Sequence, residues 1–220
     1  MGLIIAIDGP AGAGKSTIAR RLAQRLGFTY IDTGAMYRAV ALWASRQNTD
    51  FDDLHRVGQL AEAANIDLVE DRVLLNSEDV AEALRTPEIG QAASRVAANP
   101  QVRRALVAKQ RAIAEGRNVI MEGRDIGTVV FPEAQLKIYL DAGPGERARR
   151  RSADLQDADV NEVAAELAER DRRDQTRQES PLTQAPDAVY LDSTGLSPED
   201  VEEAILKLVR ARLTNGKEFR

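Results

Sequence analysis

The chain has 220 residues, 43 % hydrophobic and 30 % charged, which excludes a disordered or fibrous protein and gives material for one core rather than two roomy domains. A formal net charge of −5 argues against a general nucleic-acid binder, which needs a basic field to displace counterions from phosphates. With no cysteine and a single histidine, His55, disulfides, thiolate nucleophiles and Cys- or His-pair metal sites are excluded.

In chain order, the apolar run Leu3-Ile4-Ile5-Ala6-Ile7 comes first. It lacks the length and basic flank of a signal peptide, and no later stretch is long enough to span a bilayer, so a cytoplasmic protein without a membrane partner is expected. The run reads as a buried parallel strand, as do residues 28–31, 118–121, 136–140 and 188–191, all short and bounded by Gly, Pro, Asp or Glu. Directly after the first strand, Gly9-Pro10-Ala11-Gly12-Ala13-Gly14-Lys15-Ser16 fits G-x-x-x-x-G-K-[ST], with Thr17 next in line. Glycines let successive N–H groups turn inward onto phosphate oxygens, Lys15 supplies a point charge, and the Ser16 hydroxyl is placed to ligate Mg²⁺. Residues Gly9 to Thr17 are therefore assigned to a nucleotide. No N-K-x-D guanine signature accompanies them, so ATP is expected.

Residues 15–26 carry Ile18, Leu22 and Leu26 on one helical face, with Arg20, Arg21 and Arg25 toward solvent. The second strand runs into Asp32-Thr33-Gly34-Ala35-Met36-Tyr37-Arg38, at the strand end where an open α/β sheet presents residues to ligands. Thr33 offers a hydroxyl and Arg38 a guanidinium fork for an anion. Trp43 reads as packing and His55 as a surface or capping residue. The segment before the third strand is longer than one crossover helix requires. Within it, residues 66–69 and 72–75 flank Glu70-Asp71 as a small hairpin, and Arg103 and Arg104 lie in a helix.

After the third strand comes Gly123-Arg124-Asp125-Ile126-Gly127. Residues 145–178 then form a second interruption, with Arg147, Arg149, Arg150, Arg151 and the run Arg170-Asp171-Arg172-Arg173-Asp174-Gln175-Thr176-Arg177. Arginines gathered in an acidic protein point to a polyanionic substrate, while the interleaved carboxylates make a mixed face rather than a nucleic-acid stripe. Arg149, Arg150 and Arg172 read equally well as members of surface ion pairs. Helices are expected over 160–176 and 198–213, the last opened by Ser197-Pro198-Glu199-Asp200 as cap and acidic first turn. The alternation gives an α/β sheet with right-handed crossovers, one core and two insertions. These residues reach a P-loop phosphotransferase with an anionic acceptor. They leave the acceptor open among thymidylate, adenylate and shikimate kinase chemistry, and a nucleotide-dependent switch is the rival of another class.

Over nearly its whole length the chain resembles the bacterial cytidylate kinases, through IDGPAGAGKST, IDTGAMYRAVAL, IGQAASRVAANPQVR, GRDIGTVVFPEA, KIYLDA, RDRRDQTR and LDSTGLSPEDV. The resemblance implies a P-loop NTPase fold of nucleoside monophosphate kinase type. This is one kinase domain over 1–220, a five-stranded parallel sheet flanked by helices, a monophosphate-binding region over 32–112 with an insert near 64–86, and a short lid with its flanking arginine-rich helix over 145–178. It implies transfer of phosphate from ATP, with Mg²⁺, to CMP and dCMP by a monomer. It further implies that Thr33, Ser94 and Arg124 contact the cytosine end, Asp125 lies near the sugar, and Arg38, Arg103 and Arg177 grip the acceptor phosphate. Asp174 would bind sugar hydroxyls, Arg170 would reach the transferring phosphate, and Lys15, Arg124, Arg147 and Arg170 would stabilise charge during transfer. One departure is Glu122, where Asp is frequent in the family; either carboxylate could assist Mg²⁺ through water. Asp8 either orients the phosphate loop or simply ends its strand.

Overall fold

The computed structural model describes residues 2–69, 72–156 and 158–215. Its main sheet has five strands in the order β2-β6-β1-β7-β8: β1 (Ile4–Asp8), β2 (Thr29–Asp32), β6 (Val119–Gly123), β7 (Leu136–Asp141) and β8 (Val189–Asp192). β1 is central and parallel to both neighbours, with Ile5 opposite Ile120 on one side and Leu136 on the other. All five of its residues are buried, so a run of Ile and Ala with no polar alternation is what this position requires. β1 and β6 are buried throughout as expected, and β7 except at Tyr139 and Asp141. β8 alternates half-buried and exposed residues and in β2 only Ile31 is fully buried, because each has a neighbour on one side alone.

Each strand continues beyond its apolar run, β6 by two residues and the others by one, so that Asp8, Asp32, Gly123, Asp141 and Asp192 end the ladder. Asp8 pairs in register with Gly123 and Tyr139, and Asp141 with Asp192. The carboxyl edge of the sheet, the ligand edge in open α/β proteins, is therefore lined with acids and a glycine.

The described residues fall into two compact units, one from Met1–Tyr30, Gly116–Thr176 and Ser180–Arg220, the other from Ile31–Glu115 and Arg177–Glu179. The first has its core where Ile5, Ile7, Ile120, Ile138 and Leu140 of the sheet meet Ile18 and Leu22 of α1 (Lys15–Leu26) and Ile205 and Val209 of α8 (Pro198–Asn215). Arg21 and Arg25 of α1 both reach Glu202 of α8. The second unit packs α2 (Thr33–Arg46), α3 (Leu54–Ala63), α4 (Pro87–Val96) and α5 (Pro100–Ala114) around Val40, Val57, Ile89, Val102 and Leu106, with Trp43 packed against them. His55 is exposed on α3.

Within this second unit β3 (Ile66–Val69) and β4 (Arg72–Leu75) pair antiparallel as the expected hairpin, its turn Glu70-Asp71 lying outside the described residues. A two-residue strand, β5 (Glu78–Asp79), adds to β4 and has no signal in the sequence because both of its residues are exposed acids. In the first unit α6 (Pro144–Asp154) and α7 (Val160–Thr176) fill residues 144–176. No helix among the described residues is long and apolar enough to cross a membrane. α8 runs to Asn215, two residues past its expected end, and residues 216–220 lie outside the described residues.

Candidate active site

The loop between β1 and α1 is shaped by its glycines. Gly14 is the N-cap of α1 at φ 88°, a conformation L side chains rarely adopt, and no side chain caps the helix there. The helix thus presents its first-turn N–H groups and positive end at the loop, which is the arrangement of a phosphate site. Lys15 is buried at the start of α1, and its Nζ donates to the Pro10 carbonyl at 2.6 Å. Burial pushes its pKa down to about 7, helped by the charges of Arg124 and Arg170 and opposed by Glu122 and Asp8. Ser16 and Thr17 are exposed beside it.

Asp8 ends β1, as one of its two expected roles had it, and its carboxylate does further work. Its two carboxylate oxygens accept the backbone N–H groups of Ile126 at 2.8 Å and Gly127 at 2.7 Å. It therefore pins the single π-helical turn Ile126–Val130, which begins immediately after Arg124 and Asp125. Burial, reinforced by the nearby Asp125 charge, raises the Asp8 pKa to about 6 against the two N–H bonds. Glu122, also buried, accepts a hydrogen bond from the Tyr30 hydroxyl at 2.7 Å.

Arg124 and Asp174, expected as separate contacts, form one buried ion pair, Nε to Oδ2 at 2.9 Å. Asp125 is buried beside them in sequence. Arg147 turns toward the protein: Nε donates to the Ala142 carbonyl at 3.0 Å, Nη1 to the Ala11 carbonyl at 3.1 Å, and it pairs with Asp171. Arg170 stands close enough to Lys15 to depress its pKa. Arg149 and Arg172 make exposed ion pairs within their own helices, to Glu146 and Glu169. Arg150 adds to its Glu146 pair two bonds to Ser193, at 2.9 Å to Oγ and 2.7 Å to the carbonyl, tying α6 to the turn after β8.

The second unit holds the other expected acceptor residues. Thr33 is buried at the start of α2, whose N-cap Asp32 accepts the Ala35 N–H at 2.9 Å and the Arg38 guanidinium at 2.8 Å. Arg103 is buried on α5 over the Tyr37 ring, and its Nη1 donates to the Ala97 carbonyl at 3.3 Å. Arg177 belongs to the same unit. Ser94 is buried on α4 with its Oγ unpartnered among the described residues, which is costly unless something else supplies a bond.

The sequence model of the cytidylate kinase family matches residues 5–211. The chain belongs to the cytidylate kinase family. It is 61 % identical to the cytidylate kinase of Solibacter usitatus (strain Ellin6076), over 99 % of this chain and 96 % of that one. It is 50 % identical to the cytidylate kinase of Caldanaerobacter subterraneus subsp. tengcongensis, over 94 % of each. Among solved structures, a gluconokinase from Sinorhizobium meliloti 1021 superposes with a TM-score of 0.53 at 13 % identity, covering all of this chain and 98 % of that one. TT1252 from Thermus thermophilus gives 0.51 at 24 % identity, over 96 % and 98 %. These two similarities are of fold.

For this member of the cytidylate kinase family, three residues of the site escaped sequence reasoning. Tyr30 reads as a strand aromatic, Asp32 as the end of a strand, and Asp171 as one acid in a mixed run. Asp32 alone carried a usable signal, as an N-cap residue type directly before a helix.

Proposed function

We propose that this protein transfers the γ-phosphoryl group of ATP to CMP and dCMP. The observation that carries the reading is the buried Lys15 at the phosphate loop, whose pKa is lowered to about 7 by burial and by the charges of the half-buried Arg124 and Arg170. Such a site gains most from a polyanion that restores full charge to Lys15. The name shared by its relatives supplies the acceptor, cytidylate.

An oxygen of the acceptor monophosphate dianion attacks the γ-phosphorus in line, the bond to the β,γ-bridging oxygen breaks, and ADP leaves with that electron pair. The acceptor is already deprotonated, so no general base is needed. Lys15, Arg124, Arg147 and Arg170 neutralise charge, and Gly9 to Thr17 wrap the donor phosphates. Thr33, Ser94 and Arg124 recognise the base, Asp125 and Asp174 the sugar side, and Arg38, Arg103 and Arg177 the acceptor phosphate. The exposed Ser16 hydroxyl would ligate Mg²⁺ and the Glu122 carboxylate, oriented by Tyr30, would assist it through water; oxygen donors of this kind suit that ion. When bound, that ion would supply positive charge against the donor phosphates.

We take the chain as one kinase domain over 1–220, with 32–112 the acceptor region, 64–86 its insert and 145–178 the lid with its flanking arginine-rich helix. It acts as a cytoplasmic monomer without nucleic-acid partners. Coupled ADP production with ATP and Mg²⁺ against CMP, dCMP, UMP, dTMP, AMP and shikimate tests the reading. Strong turnover is expected with CMP and dCMP and weak turnover with UMP; turnover confined to another acceptor overturns it.

A further inference from the structure

Asp171 lies on α7 one residue after Arg170 and three before Asp174, and it is buried. Both of its carboxylate oxygens are engaged. Oδ1 accepts the Ala11 N–H of the phosphate loop at 3.1 Å, and Oδ2 pairs with the Arg147 guanidinium of α6. The same guanidinium returns to the Ala11 carbonyl at 3.1 Å and holds the Ala142 carbonyl at 3.0 Å. Residue Ala11 is thus gripped at both of its backbone polar groups, the N–H from α7 and the carbonyl from α6. A second observation, independent of hydrogen bonding, places the loop on these helices. The Ala11 side chain packs with Ala148 of α6 and Val163 and Leu167 of α7. A Cβ on Gly12 would stand 2.9 Å from the Arg147 carbonyl, so the loop backbone lies directly against α6.

We propose that Asp171 is the positioning residue that makes the phosphate loop and α7 move as one body, so that nucleotide bound at the loop is felt at Arg170 and Asp174. The inference rests on the kinase reading above, because Arg170 and Asp174 matter to catalysis only if α7 faces an acceptor. Packing alone resists separation but tolerates sliding, being non-directional. A buried carboxylate that accepts one loop N–H and one fixed guanidinium fork allows a single register, and charge-assisted bonds of this kind are the strong ones. A displacement of Ala11 of a few tenths of an ångström must either stretch those bonds or carry α7 along. The residues flanking Asp171 then move with it.

The test is calorimetric, on the full chain, with a non-hydrolysable ATP analogue and Mg²⁺ as one ligand and CMP as the other. In the wild type the analogue is expected to change the CMP dissociation constant by about 5-fold or more, the usual range of coupling between linked sites. Asp171→Asn should collapse that factor toward 1 while each ligand alone still binds. Arg147→Lys, which keeps the charge and loses the fork, should reduce it as well, and serves if Asp171→Asn does not fold. Leu167→Ala thins the packing and leaves the carboxylate bonds, so it should lower the melting temperature and preserve the coupling factor. A factor in Asp171→Asn equal to the wild type's, a wild type that binds both ligands without coupling, or a Leu167→Ala variant that uncouples as fully as Asp171→Asn would each overturn the inference alone. A wild type that binds the analogue but not CMP overturns the acceptor reading and, with it, this one.

Discussion

Lys15 enters the binding reaction with a pKa of about 7 because it is buried among other cations. Phosphate favours its charged form, so nucleotide binding at about pH 8 should take up a proton from the buffer. Calorimetry in two buffers of different ionisation enthalpy reads that uptake directly, and Lys15→Met should abolish it. Asp8 has the opposite sign of shift, its folded pKa near 6 lying above the ordinary 3.8. The stability it contributes by titration is present in full below about pH 3.8 and is lost as pH rises through about 6. Asp8→Asn removes the titration but offers an NH₂ where a second acceptor is needed, leaving the N–H of Ile126 or Gly127 unpaired. Urea unfolding near neutral pH should show a loss of about 1–3 kcal/mol, and kcat should fall because Arg124 and Asp125 precede the released turn. Ser94 makes the cleanest separation of binding from stability. Its hydroxyl has no described protein partner to lose, so Ser94→Ala should leave the melting temperature unchanged or higher while raising the KM for CMP.

At the scale of elements, the site is made by the ends of strands and helices. Every main-sheet strand delivers its last residue to the carboxyl edge, and Asp8 and Asp32 use that place to hold a neighbouring segment rather than a ligand. α6 is held to the turn after β8 through Arg150 and to the phosphate loop through Arg147. α8 begins with a reciprocal cap in which Ser197 Oγ accepts the Asp200 N–H at 3.1 Å and donates to the Asp200 carboxylate at 2.6 Å. Ser197→Ala should therefore cost about 1 kcal/mol in thermal unfolding. Catalysis should be unaffected, since the cap serves only to start the helix whose Ile205 and Val209 close the sheet core.

At the scale of the whole molecule, two hydrophobic clusters of different make-up coexist. One is a sheet packed against α1 and α8, which lie side by side and share ion pairs, the other a packing of α2 to α5 on a small hairpin. Leu106, fully buried in the second, should cost about 2–5 kcal/mol when cut to Ala. Amide exchange within 31–115 is the measurement that locates the loss.

The sequence by itself determined the sheet, the phosphate loop, the long helices and the family. Those features depend on local periodicity, on glycine spacing and on motifs whose parts lie within a few residues of one another. It also placed Lys15 at a helix start, Arg38 and Arg103 within helices and Arg124 just after a strand. The edge strands were less legible, since a short apolar run does not announce whether it has one neighbour or two. β5 was invisible, being two exposed acids whose pairing depends on a partner strand already in place. Only the tertiary structure decided what the charged residues do with one another. It joined Arg124 to Asp174 across 50 positions of chain, turned Asp8 toward Ile126 and Gly127, and set Asp171 on Ala11. Burial made those choices: once water is removed, each carboxylate must find its N–H or guanidinium partner wherever the fold brings one, and sequence distance carries no information about that.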